Sequence, residues 1–224
     1  MNDSIPSVLL RTQGRIPVRT VFGIGRNYAA HARELGNFAP REPVVFLKAA
    51  GSLLPDGGVI RLPPESQDVQ HEVEMVLLLS QGGRHAPVEQ AMQWIAGYGV
   101  GIDVTARDLQ RRAQAEGNPW AIAKGIDGFG PVSEFLPAGE ILDPAKLEFD
   151  LTVNGQLRQA GHTRDMLFGF DELIAYLSRF FTLHPGDLIF TGTPQGVARM
   201  QAGDVLRAKL RGYDLDLAVR VEAG

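Results

Sequence analysis

The sequence predicts an α+β protein rich in strands, built as a sandwich-like roll of layered sheet with a few short helices. Its 26 glycines and 14 prolines are scattered between short apolar runs rather than gathered into linkers. Many strands joined by turns give that pattern. Helical periodicities are few and do not alternate regularly with the strand runs, which argues against a doubly wound parallel sheet. No low-complexity tract, repeat or linker divides the chain. Residues 18–224 are therefore expected to form a single domain behind an N-terminal extension, residues 1–17.

Apolar and β-branched runs place strands at Thr20–Ile24, Val44–Leu47, Val59–Arg61, His71–Leu79 and Ala96–Asp103. Further runs fall at Glu148–Val153, Leu188–Thr191, Val205–Leu210 and Leu215–Val221. Asn154-Gly155, between Leu151–Val153 and Gln156–Arg158, is the strongest hairpin signal in the chain. Helices are expected over Tyr28–Leu35, capped by Asn27 and stopped by Gly36, and over Val88–Gln93. Two more are expected over Arg107–Ala115, ended near Gly117, and over Asp171–Arg179 with Asp171 as cap.

The 224 residues are 44% hydrophobic and 21% charged, which fits a globular protein with a sizeable core. A net charge of −4 gives no electrostatic case for nucleic acid, and no basic run points to a membrane surface. The absence of cysteine excludes disulfides, thiolate metal sites and a cysteine nucleophile. The first residues lack a basic start followed by a long apolar core, so the expected location is cytoplasmic.

Glu72 and Glu74 stand two apart in an apolar run, and Asp103 follows one strand-turn-strand unit later. Period-two alternation puts the two glutamates on one face, ~7 Å apart. Carboxylates in such surroundings are costly to bury unless a cation compensates. Three oxygen donors without cysteine suit a hard divalent ion: Mg²⁺, Mn²⁺ or Ca²⁺. The plainer alternative puts the glutamates on the wet face of an edge strand and makes Asp103 a helix cap. The small, apolar approach Gly97–Ile102 weighs against it.

Three other segments carry candidate chemistry. His31 and Glu34, three apart on the first helix, are neighbours on one face. A carboxylate beside an imidazole fixes its tautomer and raises its basicity, the usual setting of a general base, although a solvated surface pair has the same spacing. Lys124 lies in an otherwise uncharged stretch and is either a surface lysine or a partner for a substrate carboxylate or an enolate oxygen. The run Leu183–Gly196, which contains Thr191-Gly-Thr193-Pro, is either a tight turn or a cradle of amides for an anion.

In order, the chain reads Gly-Arg-Asn-Tyr-x-x-His-x-x-Glu, Glu-Val-Glu, Asp-Val-Thr-Ala-Arg-Asp-Leu-Gln, Lys-Gly-x-Asp-x-Phe-x-Pro, Val-Asn-Gly and Pro-Gly-Asp-x-Ile-x-Thr-Gly-Thr-Pro-x-Gly. This series resembles the fumarylacetoacetate hydrolase family, over residues 18–221, and within it the short acylpyruvase and oxaloacetate decarboxylase branch. The resemblance implies that family's layered β-sheet roll, usually as a homodimer. It implies Mg²⁺, replaceable by Mn²⁺ or Ca²⁺, on Glu72, Glu74 and Asp103. It implies a water-activating dyad in His31 and Glu34, an active-site lysine in Lys124, and a substrate-carboxylate contact in Thr193. Arg26, Arg107 and Gln110 match positions lining the pocket.

The activity so implied is hydrolysis of the C–C bond of 2,4-diketo acids, or acylpyruvates, to pyruvate and a carboxylic acid. Oxaloacetate decarboxylation or tautomerisation would use the same site. An isomerase or hydratase of aromatic catabolism and a catalytically silent binding protein remain as rivals. Many members carry Pro-x-Gly-Pro after the lysine segment, whereas here Pro131 is followed by Val-Ser-Glu-Phe, which leaves substrate preference open.

Overall fold

The computed structural model describes residues 5–34 and 39–224. Two antiparallel-dominated sheets form the body. The first has six strands in the order Leu136–Pro137, Ile95–Ile102, Val73–Leu79, Leu188–Phe190, Val21–Gly25 and Val44–Lys48. The second has five: Gln156–His162, Glu148–Val153, Val205–Leu210, Asp216–Ala223 and Val59–Leu62. A three-stranded sheet, Thr105–Ala106, Val69–His71 and Ala198–Arg199, bridges the region beside the acidic residues.

The Val73–Leu79 strand is buried at every position because it is covered on both faces. Val73, Met75, Leu77 and Leu79 enter the main core with Phe149, Leu151, Leu206 and Leu217 of the second sheet. Val76 and Leu78 point the other way, into a smaller core with Val8, Leu10, Phe135 and Phe190. An N-terminal hairpin, Ser7–Leu10 with Gly14–Pro17, closes that smaller core. The alternation therefore puts Glu74 on the face of Val76 and Leu78, at the open end of the strand.

Most expected strands are present, with ends moved by a residue or two. The Asn154-Gly155 turn forms as read, with φ of 51° and 78° and Val153 opposite Gln156. Both residues are left-handed, as a two-residue turn matched to strand twist requires. One expected strand is divided. His71–Leu79 is interrupted at Glu72, where the chain leaves the bridging sheet and enters the six-stranded one.

The helices also match in place, but two of the expected N-terminal caps differ. The first spans Ala29–Glu34; its expected end at Leu35 and Gly36 lies outside the described residues. Asn27 is a clamp rather than the expected cap. Its Nδ2 donates to the carbonyls of Phe168 (3.1 Å) and Thr191 (2.8 Å), and its Oδ1 accepts from Phe168 N (2.8 Å). The last helix starts at Phe170, with Gly169 as cap and Glu172 accepting from the Gly169 amide, so Asp171 lies inside its first turn. Arg107–Glu116 ends at Gly117 with φ 72°, as glycine allows. A short helix, Ala121–Lys124, had no periodicity long enough to reveal it. Among the described residues no helix is long and apolar enough to cross a membrane.

Candidate active site

The break at Glu72 turns the chain from one sheet into another and gathers the acidic residues. Asp103 follows directly on the Ile95–Ile102 strand, which pairs antiparallel with Val73–Leu79, and its amide donates to Glu72 O at 2.8 Å. Carboxylate oxygens of Glu72, Glu74 and Asp103 lie within 4.8 Å of one another. The side chains are buried, with residue exposures of 4%, 1% and 1%. The wet-face alternative for the glutamates is therefore excluded.

Cations compensate two of the three. Glu72 accepts from Lys124 Nζ at 2.8 Å and pairs with Arg107 Nη2. Asp103 accepts from Lys48 Nζ at 2.7 Å and from Lys124 Nζ at 2.5 Å. Glu74 has a backbone donor, Gly192 N at 2.7 Å, and no cationic side chain within salt-bridge reach among the described residues. The consequences are opposite for two residues on one face. Burial and the like charges of Asp103 and Glu72 push the Glu74 carboxyl well above the usual range. Burial acts the same way on Glu72, but Lys124 and Arg107 outweigh it and hold its carboxyl below the usual range.

This unequal distribution tests whether a divalent cation fits. Three buried hard-oxygen donors converge, and one of them lacks a compensating side-chain charge. A divalent ion there would remove the like-charge repulsion on Glu74, so the donor set suits one. Lys124 bridges Glu72 and Asp103 and also donates to Thr105 Oγ1 at 2.7 Å. It is 2% exposed, so it is no surface lysine. Asp103 and Glu72 raise its pKa against the opposing effect of burial, whereas burial prevails at Lys48 and lowers it.

A cavity of about 280 Å³ opens onto this cluster. His31, Glu34, Lys124, Arg26, Arg107, Gln110 and Thr193 all line it, with Glu72 and Glu74; Asp103 stands behind. His31, 3% exposed, places Nδ1 3.2 Å from Glu34 Oε2. Glu34 is held by the Gly196 amide, 3.0 Å from Oε1 and 3.2 Å from Oε2. A carboxylate at Nδ1 assigns the hydrogen to that nitrogen and leaves Nε2 with its lone pair. The dyad therefore has the geometry of a held base at a cavity wall, with His31 buried and Glu34 keeping 34% of its side chain exposed.

Arg107 makes three hydrogen bonds within the protein, one from each of its nitrogens. Nε donates to Gln70 Oε1 (2.9 Å), Nη1 to Gln110 Oε1 (2.6 Å) and Nη2 to Glu72. It steadies Glu72 and turns the Gln110 NH₂ away from itself. Arg26 sits at the cavity with φ 59°, an uncommon conformation for a residue other than glycine.

Several lining residues were not read from the sequence. Arg111 and Gln114 continue the face of Arg107 and Gln110 at helical spacing, a signal that was available. Phe46 and Trp120, with ring centroids 5.7 Å apart, form an aromatic wall from two distant segments, which no local pattern announces. Lys48 ends an ordinary strand run and gave no sign of its contact with Asp103.

Fold and site together define a strand-rich enzyme class with a buried carboxylate trio at the floor of a small polar cavity. The chain belongs to the fumarylacetoacetate hydrolase family: the pattern described as Fumarylacetoacetate (FAA) hydrolase C-terminal matches residues 20–219. It is 48% identical over 189 residues to a mitochondrial oxaloacetate tautomerase of Arabidopsis thaliana, covering 84% of this chain and 85% of that protein. It is 42% identical to an oxaloacetate tautomerase of Escherichia coli K12, covering 91% and 93%. Among solved structures it is similar to fumarylpyruvate hydrolase from Pseudomonas aeruginosa in complex with Mn²⁺ and pyruvate. There the TM-score is 0.94, the identity 37% and the coverage 100% and 99%. Family members include hydrolases, tautomerases, decarboxylases and isomerases.

Proposed function

We propose that the protein is a divalent-metal-dependent hydrolase that cleaves 2,4-diketo acids to pyruvate and a carboxylic acid. The observation that carries this reading is the buried His31, held by Glu34, in the same small cavity as the carboxylate trio. Water attack needs a base, and a base is present. In this reading Glu72, Glu74 and Asp103 hold Mg²⁺, with Mn²⁺ as a substitute. That ion supplies Lewis-acid stabilisation of the negative charge that develops on the 2-oxo oxygen.

The chain's own residues do the rest. Arg107 holds Glu72 in place and Lys48 holds Asp103. The Gln110 NH₂ and Arg26 orient the substrate, and Lys124, once it leaves Glu72 and Asp103, is free to donate to the oxygen that gains charge. Phe46 and Trp120 exclude water from one side. His31 Nε2 takes a proton from water, and the resulting hydroxide attacks the 4-oxo carbon. The bond between carbons 3 and 4 then breaks. The enolate of pyruvate leaves and is protonated at carbon 3 by His31, which returns the base to its starting form.

The tautomerase names of the relatives at 42% and 48% identity favour a second reading. There the same base moves a proton between carbon 3 and the 2-oxygen of oxaloacetate, and no bond between carbons breaks. A panel of acetylpyruvate, fumarylpyruvate and oxaloacetate separates the two. We expect Mg²⁺-dependent release of pyruvate from the acylpyruvates, abolished by chelator. Enol–keto conversion of oxaloacetate with no pyruvate formed from any acylpyruvate would replace the first reading by the second.

A further inference from the structure

Gln159 reaches the site from the outer strand of the five-stranded sheet and is 1% exposed. Its side chain makes four contacts, and they leave it one orientation. Val73 N is a donor, so the atom 3.1 Å from it is the carbonyl Oε1. Pro194 O is an acceptor, so the atom 3.0 Å from it is Nε2, which carries hydrogen. The second Nε2 hydrogen points at Thr193 Oγ1, 2.9 Å away. Oε1 also accepts from His71 Nδ1 at 2.9 Å. Both hydrogens of the amide and both of its lone pairs are used.

This fixes the Thr193 hydroxyl. Oγ1 accepts from Gln159 and gives its own hydrogen to Val73 O at 2.8 Å. A hydroxyl has one hydrogen and two lone pairs, so a single lone pair remains. Thr193 is 2% exposed and lines the cavity. Toward a ligand its hydroxyl is therefore an acceptor and cannot donate. The family resemblance implied a contact between Thr193 and a substrate carboxylate. An ionised carboxylate and a ketone are acceptors too, and this hydroxyl offers them nothing.

We propose that Thr193 recognises the enol tautomer of the bound oxo acid by accepting a hydrogen bond from its enol hydroxyl, and that Gln159 is the positioning residue that sets this polarity. The proposal rests on the reading of the cavity as a metal-dependent 2-oxo acid site. The keto form presents no donor, so the contact discriminates between tautomers of one compound. The discrimination is useful to a tautomerase, which must tell the two forms apart, and to a hydrolase that takes its diketo acid in the enol form; an enolate, which carries no hydroxyl hydrogen, gains nothing from it.

Two small ligands of nearly equal shape test it. Oxalate has only acceptor oxygens at neutral pH, whereas oxamate replaces one carboxylate by an amide and brings N–H donors. Their binding to the Mg²⁺-loaded protein is measured by calorimetry for wild type, Thr193→Val and Thr193→Ser, each first titrated with Mg²⁺ to confirm that the metal site is intact. We expect Thr193→Val to weaken oxamate by about fivefold to tenfold, the worth of one hydrogen bond. Oxalate affinity should stay within about twofold, and Thr193→Ser should bind both as wild type does. Thr193→Ala takes the place of the valine variant if that one does not fold. Loss of oxalate affinity as large as that of oxamate, or no change in either, overturns the proposal. Failure of the wild-type protein to bind either ligand with Mg²⁺ overturns the oxo-acid reading itself and this proposal with it.

Discussion

Replacing His31 by alanine is expected to lower kcat for acylpyruvate hydrolysis by between about 10²- and 10⁴-fold, the usual contribution of a positioned general base. Mg²⁺ affinity should stay within about twofold, because the ligand set of hard oxygens is untouched. The dyad supports so large an effect because it is built into the fold. Glu34 is fixed by the Gly196 amide, and Gly196 has φ 98°. A Cβ at Gly196 would meet Arg158 O at 2.3 Å, so no other residue fits the turn without moving a main chain. Glu34→Gln should give a smaller loss than His31→Ala, because it keeps the imidazole and alters its orientation and basicity. Steady-state rates of the two variants at saturating Mg²⁺ decide this. Wild-type rates for His31→Ala would remove the base from the mechanism.

Glu74→Gln is expected to have effects of opposite sign with and without metal. The Glu74 carboxyl is buried against Asp103 and Glu72 with a backbone donor alone, so its ionised form is disfavoured in the folded protein. A carboxyl raised in this way is held protonated more tightly by the folded chain than by the unfolded one. Stability of the metal-free protein therefore falls as pH rises from the ordinary value of 4.5 toward the raised value. Neutral glutamine removes that loss and keeps an acceptor for Gly192 N. Metal-free Glu74→Gln should thus melt above wild type at neutral pH. With Mg²⁺ the order reverses, because binding stabilises wild type and the variant lacks an anionic ligand. For wild type the Mg²⁺-induced rise in Tm should shrink as pH falls through the same window, since protons compete for Glu74. Thermal melts with Mg²⁺ and with chelator across pH test all three statements. A Glu74→Gln variant with the wild-type response to Mg²⁺ would exclude Glu74 as a ligand.

The residues most legible in the sequence were those whose chemistry conflicts with their surroundings. Glu72 and Glu74 in an apolar run and Asp103 after a run of small residues announced a compensated burial, and each is buried; Lys124 in an uncharged stretch read as readily as a surface lysine, and it too is buried. The Asn154-Gly155 turn was legible because two left-handed residues in sequence leave few alternatives. Partners supplied by distant chain were not. Lys48 meets Asp103, Asn27 clamps Phe168 and Thr191 instead of capping its helix, and Gln159 comes from the other sheet. These contacts depend on how sheets are stacked, which local periodicity does not encode. The same limit hid the break at Glu72: the alternating run His71–Leu79 reads as one strand, yet the change of sheet there is what turns Glu72 toward Asp103.

In the proposed function Glu72, Glu74 and Asp103 hold the ion against which a 2-oxo acid is bound. A crystal grown with Mn²⁺ and pyruvate, measured at a wavelength where manganese scatters anomalously, tests it most directly. One anomalous peak is expected within coordination distance of all three carboxylates, with pyruvate oxygens completing the shell and Lys124 withdrawn from between Glu72 and Asp103. A crystal that holds pyruvate in the cavity with no such peak, and with Lys124 still bridging those two carboxylates, would contradict it.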